Sequence, residues 1–303
     1  MFAYFRAPLD WRELARRTIA DTFEDDCPGL AAQLAFYFLL AVFPALLFVV
    51  SLLGYLPLNA TLGMAVARLE AVVPQEVVSL IREQIEQLLA GGHGGLLTLG
   101  IGGAIWSSSS AVTAIITALN RAHDIEEWRP WWKRRVIAIG LTIALAVFVV
   151  LAFAFVVGGG DLAEWVARMI GAGDVFASVW SIGQWVIALA LVVLAVDLVY
   201  YFAPNADNVW VWVTPGSLLA TVLWLAASAA FKLYIQNFGS YTAAYGAIGA
   251  FIVLMLWFYL SGLALLVGAE LNAEIDRAIA PHRPRGRSGR LAIGPAAEDE
   301  SAR

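Results

Sequence analysis

Polar and aromatic side chains interrupt several long apolar stretches of this sequence. Four consecutive serines, at positions 107–110, lie in the middle of one charge-free stretch, and Pro44 lies in the middle of another. A proline removes a backbone hydrogen bond and kinks a helix, and a polar group surrounded by hydrocarbon normally faces a bundle interior or water. We therefore predict a pocket near the membrane midplane. Its candidate substrate-path residues are Tyr37, Pro44, Trp106, Ser107, Ser108, Ser110, Trp257, Tyr259 and Ser261.

The same residues allow a second interpretation. Small side chains let membrane helices approach each other closely, so the serines also suit tight packing without any pocket. Both interpretations stay open at this point.

A second polar layer falls near one end of the apolar stretches. It contains two carboxyl groups, on Asp197 and Glu270, and Arg121 is placed to pair with either of them. Such a network can fix the register of the helices, or it can act as a gate or proton-responsive site. The residues of this candidate cytoplasmic-side network are Gln33, Asn120, Arg121, Asp197, Glu270 and Asn272.

Residues for catalysis or metal binding are not grouped in the sequence. His93, His123 and His282 lie in different segments without neighbouring ligands at metal-site spacing. The chain has no Gly-rich phosphate loop with a lysine and no Gly-x-Ser-x-Gly turn, and the serine run has no adjacent base. We expect no metal, no cofactor and no enzymatic activity. A net charge of −5 also argues against a nucleic-acid partner.

The composition decides the class of protein. Of 303 residues, 61% are hydrophobic and 14% are charged, against roughly 45–50% and about 25% in soluble domains. So few polar residues cannot cover a water-soluble globule, and so hydrophobic a chain is not disordered. The sequence therefore predicts an all-α, polytopic membrane protein.

Six stretches are long enough to cross a bilayer, which needs about 20 apolar residues. The predicted spans are 30–56, 96–120, 136–157, 182–202, 215–235 and 244–271. They form a transmembrane domain at 30–272, between an N-terminal segment at 1–29 and a tail at 273–303 that is predicted to be disordered. Helical spacing of apolar residues also predicts external amphipathic helices at 74–89 and 161–170.

Basic residues indicate the orientation. Most of the 19 Lys and Arg residues lie in the N-terminal segment, between the second and third spans, and in the tail. Cytoplasmic loops carry such an excess, so both termini are predicted to be cytoplasmic. The predicted partners are membrane lipids. The 74–89 helix could cap the bundle, lie in the interface, or bind an envelope protein or a second copy of the chain.

Several short segments of the sequence resemble the YihY/BrkB family of bacterial inner-membrane proteins, over roughly residues 10–275. They are Leu34-Ala35-Phe36-Tyr37, Phe43-Pro44, Trp106-Ser107-Ser108, Leu119-Asn120-Arg121-Ala122, Tyr200-Tyr201-Phe202-Ala203-Pro204, Tyr241, Tyr245-Gly246-Ala247-Ile248-Gly249-Ala250, Leu256-Trp257, Tyr259-Leu260-Ser261 and Gly268-Ala269-Glu270-Leu271-Asn272. The block in the sixth predicted span is the most specific part.

The resemblance implies a six-span inner-membrane protein with cytoplasmic termini and a role in envelope transport or integrity. The family has carried the labels virulence factor and ribonuclease BN, and neither label supplies a mechanism. Our leading hypothesis is a transporter or flippase-like permease for an envelope metabolite or lipid-linked molecule. A non-transporting scaffold for envelope integrity is the alternative. A membrane-associated ribonuclease is disfavoured, because the sequence lacks a metal-ligand or basic RNA-binding constellation.

Overall fold

The structure is a computed structural model that describes residues 10–54, 94–170, 173–206 and 210–279. These ranges contain six helices and no β-strand. The helices are α1 (Trp11–Glu24), α2 (Cys27–Gly54), α3 (Gly94–Ala122), α4 (Trp131–Ile170), α5 (Gly173–Phe202) and α6 (Pro215–Ile279). The predicted all-α class is confirmed.

Five helical segments among the described residues are long and apolar enough to cross a membrane. They are Gly102–Ala122, Trp131–Val156, Ile182–Phe202, Pro215–Tyr234 and Phe251–Ile279. The first predicted span, 30–56, overlaps a shorter apolar segment, Cys27–Val42, and the α2 backbone continues through Pro44 to Gly54. The polytopic membrane architecture is thereby supported, and the count of six spans stays a prediction.

The chain reverses direction within the long helical segment α6. The 65 residues of this segment would place its two ends about 95 Å apart if it were straight. Instead, the Gly216 N–H donates to Asn272 Oδ1 over 2.8 Å, and Trp257 Nε1 lies 3.3 Å from Ser228 Oγ. The chain therefore turns back between Ser228 and Trp257. We call Pro215–Tyr234 the first arm and Phe251–Ile279 the second arm.

Close contact between the two arms depends on glycines. A Cβ atom on Gly216 would collide with the Gly268 carbonyl oxygen, and one on Gly268 would collide with the Gly216 carbonyl oxygen. Small residues allow membrane helix backbones to approach in this way. The two positions therefore bring the ends of the α6 hairpin together and position the polar residues beside them.

The core lies where α2, α3 and the second arm meet. Its largest fully buried apolar side chains include Leu34, Ile116, Leu119 and Leu266. Alanines fill much of the remaining space, again allowing a close approach. The helix α4 packs against α3 and α5 and contributes Ala138 and Leu141 to this core.

Two helices extend beyond their predicted limits. The 161–170 segment continues α4 without a break, so it is not a separate external helix as predicted; the whole of α4 has 40 residues. At the other end, α6 continues past the predicted boundary at residue 272, because Ile275 is buried against Leu14 of α1. The predicted external helix at 74–89 and most of the predicted tail lie outside the described residues.

Arg277 connects three parts of the chain at this end of the bundle. Its guanidinium forms ion pairs with Asp21 of α1, Glu274 of α6 and Asp124 beyond the end of α3. Because one cation bridges carboxylates from three elements, it holds α1 against the ends of the longer helices.

Candidate functional site

Asp197 is the centre of a buried polar network. It lies in the last turns of α5 and is 2% exposed. Its Oδ1 accepts hydrogen bonds from the Thr214 hydroxyl at 2.7 Å and the Thr214 N–H at 3.2 Å, and its Oδ2 accepts one from the Ser217 hydroxyl at 2.9 Å. The carboxylate is therefore well supplied with donors without any cation.

The local sequence explains why these donors converge. Thr214 precedes Pro215, the first residue of α6, and the Thr214 hydroxyl oxygen accepts the Ser217 N–H at 3.1 Å. This is the geometry of a helix N-cap, with proline at the first helical position. A helix N-terminus stabilises a negative charge, so the cap of α6 is a suitable environment for the Asp197 carboxylate.

Asn272 joins the network from the second arm. Its Oδ1 accepts the Gly216 N–H, and its Nδ2 donates to the Thr214 hydroxyl at 2.9 Å. The structure thus brings together two of the predicted network residues, Asp197 and Asn272, through a cap that the prediction did not include. The network joins α5 to both arms of α6.

Glu270 lies in a different environment, two residues before Asn272 on the second arm. Its side chain is fully buried. The Cys27 thiol lies 3.3 Å from Oε1, while Oε2 has no hydrogen-bond partner. A thiol is a weak donor. Among the described residues no cationic side chain forms an ion pair with Glu270, so this carboxyl group is far less stabilised than that of Asp197.

Asn120 belongs to a third cluster, at the end of α3. It donates to Glu127 Oε2 at 2.9 Å, and it accepts the Asn205 N–H through Oδ1 at 2.7 Å. Arg129 binds the same Glu127 carboxylate at 2.7 Å and donates to the Ala203 carbonyl at 2.8 Å. These bonds tie the α3–α4 loop to the chain that follows α5.

The other two predicted network residues lie apart. The side chains of Gln33 and Arg121 are exposed. Arg121 does not pair with Asp197 or Glu270 as predicted, because the Thr214 cap and Cys27 occupy the positions beside those carboxyls. The predicted layer is therefore three separate groups of contacts plus two exposed residues.

The surroundings shift the pKa values of three ionisable groups outside the spans. Burial acts to raise the pKa of Glu127, but the hydrogen bonds from Arg129 and Asn120 outweigh it, and the pKa lies below its ordinary value. Burial raises the pKa of Asp25 and lowers that of His123. The His123 Nδ1 lies 2.9 Å from the Leu119 carbonyl oxygen, so this histidine packs onto the end of α3.

The candidate substrate-path residues divide between helices. On α3, Ser109 donates to the Trp106 carbonyl at 2.7 Å, whereas Ser108 Oγ is buried without a partner. Ser107 is partly buried on the same helix, and Ser110 lies 3.3 Å from Arg135 Nη1.

The α6 members make contacts of their own. Trp257 reaches Ser228 and Trp224 of the first arm, Ser261 donates to the Trp257 carbonyl, and Tyr259 packs on the core. The α2 members, Tyr37 and Pro44, are partly buried. The structure does not gather these residues into one cluster of mutual contacts, and their role as a substrate path stays a prediction.

Several residues of these sites were not predicted from the sequence. The Thr214-Pro215-Gly216-Ser217 segment has the signature of a helix N-cap and could have indicated donors near Asp197. No sequence signal pairs Cys27 with Glu270, because 243 positions separate them. Arg135 was assigned to the loop before the third span, whereas α4 already begins at Trp131.

Comparison with known proteins identifies the family. The family model described as Virulence factor BrkB matches residues 18–291. This chain belongs to that family. The resemblance noted from the sequence is thus confirmed. No solved structure matches the chain.

Relatives match over most of the chain. The ribonuclease-like protein YfkH of Bacillus subtilis is 38% identical over 247 residues, which cover 82% of this chain and 89% of YfkH. A UPF0761 membrane protein of Aeromonas salmonicida is 30% identical over 80% of this chain and 82% of its own length. One from Ralstonia nicotianae is 26% identical over 87% of this chain but only 59% of its own length. A membrane location agrees with these names and with the apolar helices.

Proposed function

We propose that this membrane protein is a transporter or flippase-like permease for an envelope metabolite or lipid-linked molecule. The observation that carries the proposal is Glu270, a fully buried carboxyl group with an unpartnered oxygen inside a candidate membrane span. Ionisable residues inside spans are costly and mark substrate, ion or proton pathways.

The environment of Glu270 supports this role over a purely structural one. A buried carboxylate is costly unless donors or cations compensate its charge, and the described residues offer Glu270 only the Cys27 thiol. A carboxyl group in that position can bind a proton or a small cation. Coupling to such an ion would give a permease its driving force.

The proposed location is the bacterial inner membrane, with both termini in the cytoplasm. The excess of Lys and Arg beside one set of span ends supports this orientation. It places Asp197, Glu270 and Asn272 toward the cytoplasmic face, where they would lie at one end of a transport path.

Reconstitution of the full chain in vesicles tests the proposal. One assay follows a fluorescent phospholipid by dithionite bleaching. A second assay follows proton entry with a trapped pH dye under an imposed pH gradient. We expect the wild type to accelerate at least one process and Glu270→Gln to abolish the acceleration. Glu24→Gln makes the same chemical change on an exposed part of α1 and should have no effect. Rates equal to those of protein-free vesicles in both assays would contradict the proposal.

A non-transporting scaffold for envelope integrity is the alternative. It depends on the predicted amphipathic helix at 74–89, through which a second copy or an envelope protein would bind. Ile81→Asp and Ile85→Asp would disrupt its apolar stripe. Loss of a co-purifying partner, with the spans still inserted and transport unchanged, would favour the scaffold.

We further propose that the chain is not an enzyme, despite the ribonuclease-like name of YfkH. Among the described residues, no three His, Cys, Asp or Glu side chains are grouped as a metal site, and the net charge of −5 is unsuited to RNA. Metal-dependent RNA cleavage by the purified protein, lost in His123→Ala, would overturn this proposal.

A further inference from the structure

Arg135 of α4 reaches across to α3. It lies in the second turn of α4, and its guanidinium carbon is 3.9 Å from the centroid of the Trp106 ring of α3. Nη1 lies 3.3 Å from Ser110 Oγ, and Nη2 donates to the Trp106 carbonyl. The guanidinium therefore lies between α3 and α4, against two of the predicted substrate-path residues.

Two other arginines near this end of the bundle have carboxylate partners. Arg129 binds Glu127, and Arg277 binds three carboxylates. In the part of the chain that the structure describes, no carboxylate pairs with Arg135, and its Nε is buried without an acceptor. The positive charge of Arg135 thus lacks a protein counter-ion there.

The apolar helices around Arg135 make this charge unusual. Arg135 follows the start of α4 at Trp131 by only four residues, which corresponds to about 6 Å along a helix, but its guanidinium lies against the candidate span Gly102–Ala122 of α3. A cation beside a membrane span is costly without a negative partner. A bound anion would supply the missing charge.

The site is accessible from the side of the bundle. Trp106 is 51% exposed and Trp131 is 63% exposed, and their ring centroids are 6.3 Å apart. Tryptophan favours the boundary between acyl chains and headgroups. The Trp106 ring lies against the guanidinium and the Trp131 ring lies beside the Trp106 ring, on a surface where lipid acyl chains would lie.

We propose that Arg135, Ser110 and Trp106 bind the phosphate group of an anionic membrane lipid. A guanidinium offers several N–H donors with a geometry that matches phosphate oxygens, the serine hydroxyl adds one more donor, and the tryptophan ring supports the guanidinium from one face. This inference deepens the proposed function by naming the ligand class, and it rests on that function only for the step from binding to transport.

The test measures lipid binding by the full chain without any transport step. Delipidated protein in detergent micelles is titrated with phosphatidylglycerol, and bound lipid is counted by native mass spectrometry. We expect Arg135→Gln to weaken phosphatidylglycerol binding at this site about tenfold or more, because a charge-assisted phosphate contact is lost. Trp106→Phe should weaken it about two- to fivefold, because the ring contributes a cation–π contact.

Arg134→Gln is the matched control. Arg134 is the neighbouring residue on α4 and carries the same charge, yet its side chain makes no hydrogen bond or ion pair among the described residues. Its loss should leave the affinity within a factor of about two. Equal weakening in Arg134→Gln and Arg135→Gln would overturn the proposal, since it would indicate a diffuse charge effect.

Two further measurements identify the source of the ligand and keep the test valid if a variant misfolds. Inorganic phosphate at millimolar concentration should not displace the lipid; displacement would reassign the site to free phosphate and overturn the lipid proposal. If Arg135→Gln does not elute as a single species, Ser110→Ala and Trp106→Phe replace it, and unchanged affinity in both would also overturn the proposal. Lipid binding without transport would contradict only the proposed function.

Discussion

Asp197 and Glu270 are both buried carboxyl groups near the same end of the bundle, yet their partners differ. Asp197 accepts three hydrogen bonds from the N-cap of α6. Glu270 has one weak thiol partner and an oxygen without any. The comparison shows that burial alone does not assign a role to an intramembrane carboxyl. The donors around it separate a structural group from one that is available to bind a proton or cation.

Removing the Asp197 carboxylate should have the largest effect on stability. Asp197→Ala leaves the buried Thr214 hydroxyl without its acceptor and leaves the Ser217 hydroxyl only the Thr214 carbonyl, at 2.9 Å; each lost hydrogen bond to a charged group costs about 1.5–3 kcal/mol. We expect the free energy of unfolding to fall by roughly 2–4 kcal/mol in mixed micelles. Asp197→Asn retains one acceptor oxygen and should lose less. Equal stability of the wild type and Asp197→Ala would show that the cap does not depend on this carboxylate.

Separating the arms of α6 should disrupt the same network from another direction. A Cβ in Gly268→Ala would meet the Gly216 carbonyl and the Tyr200 hydroxyl, and overpacking of this kind costs about 1–3 kcal/mol. Gly140→Ala on α4 has no neighbouring atom within 4 Å. It should be neutral or stabilising, because alanine favours helices over glycine by roughly 1 kcal/mol. Thermal unfolding of the two variants measures the difference.

Neutralising Glu270 should abolish transport but hardly change stability, unlike the removal of the Asp197 carboxylate. Glu270→Gln keeps the shape of the side chain and removes its charge, so we expect the free energy of unfolding to change by less than about 1 kcal/mol. Ion-coupled transport should nevertheless be lost. A large loss of stability on this substitution would move Glu270 into the same structural class as Asp197, and the distinction between them would be wrong.

The thiol beside Glu270 should matter least. Cys27→Ser replaces a weak donor with a stronger one in a site of nearly the same size, and we expect a change in stability of about 1 kcal/mol or less. Reversible unfolding of Cys27→Ser and of the double variant with Glu270→Gln would give the coupling energy of the pair. A coupling energy well above that range would show that the thiol stabilises the carboxyl more than its geometry suggests.

The candidate cytoplasmic-side network could be predicted only in part from the sequence. Asp197, Glu270 and Asn272 stand out in the sequence because they interrupt apolar stretches, and the structure buries all three. Arg121 stands out for the same reason, but its side chain is exposed. Sequence position gives the approximate depth of a residue in a span, whereas the face of the helix that it occupies depends on neighbouring helices.

The ends of the helices illustrate a second limit. A charge-free window places the third span from residue 136, but α4 begins directly after Pro130 and includes Arg134 and Arg135. Hydrophobicity identifies the part of a helix that lies in lipid, and the helix itself extends as far as its backbone bonds and packing allow. Arg135 was therefore assigned to a loop, and its contact with Trp106 was not predicted.

The sequence by itself determined the class of this protein. A chain that is 61% hydrophobic must satisfy its backbone hydrogen bonds within lipid, and helices achieve this inside each segment. Only the tertiary structure decided which side chains compensate the buried charges. Cys27 meets Glu270 across 243 positions, and Gly216 meets Asn272 across 56. Such contacts arise from how helices turn and pack, and a linear pattern of residue types does not contain that information.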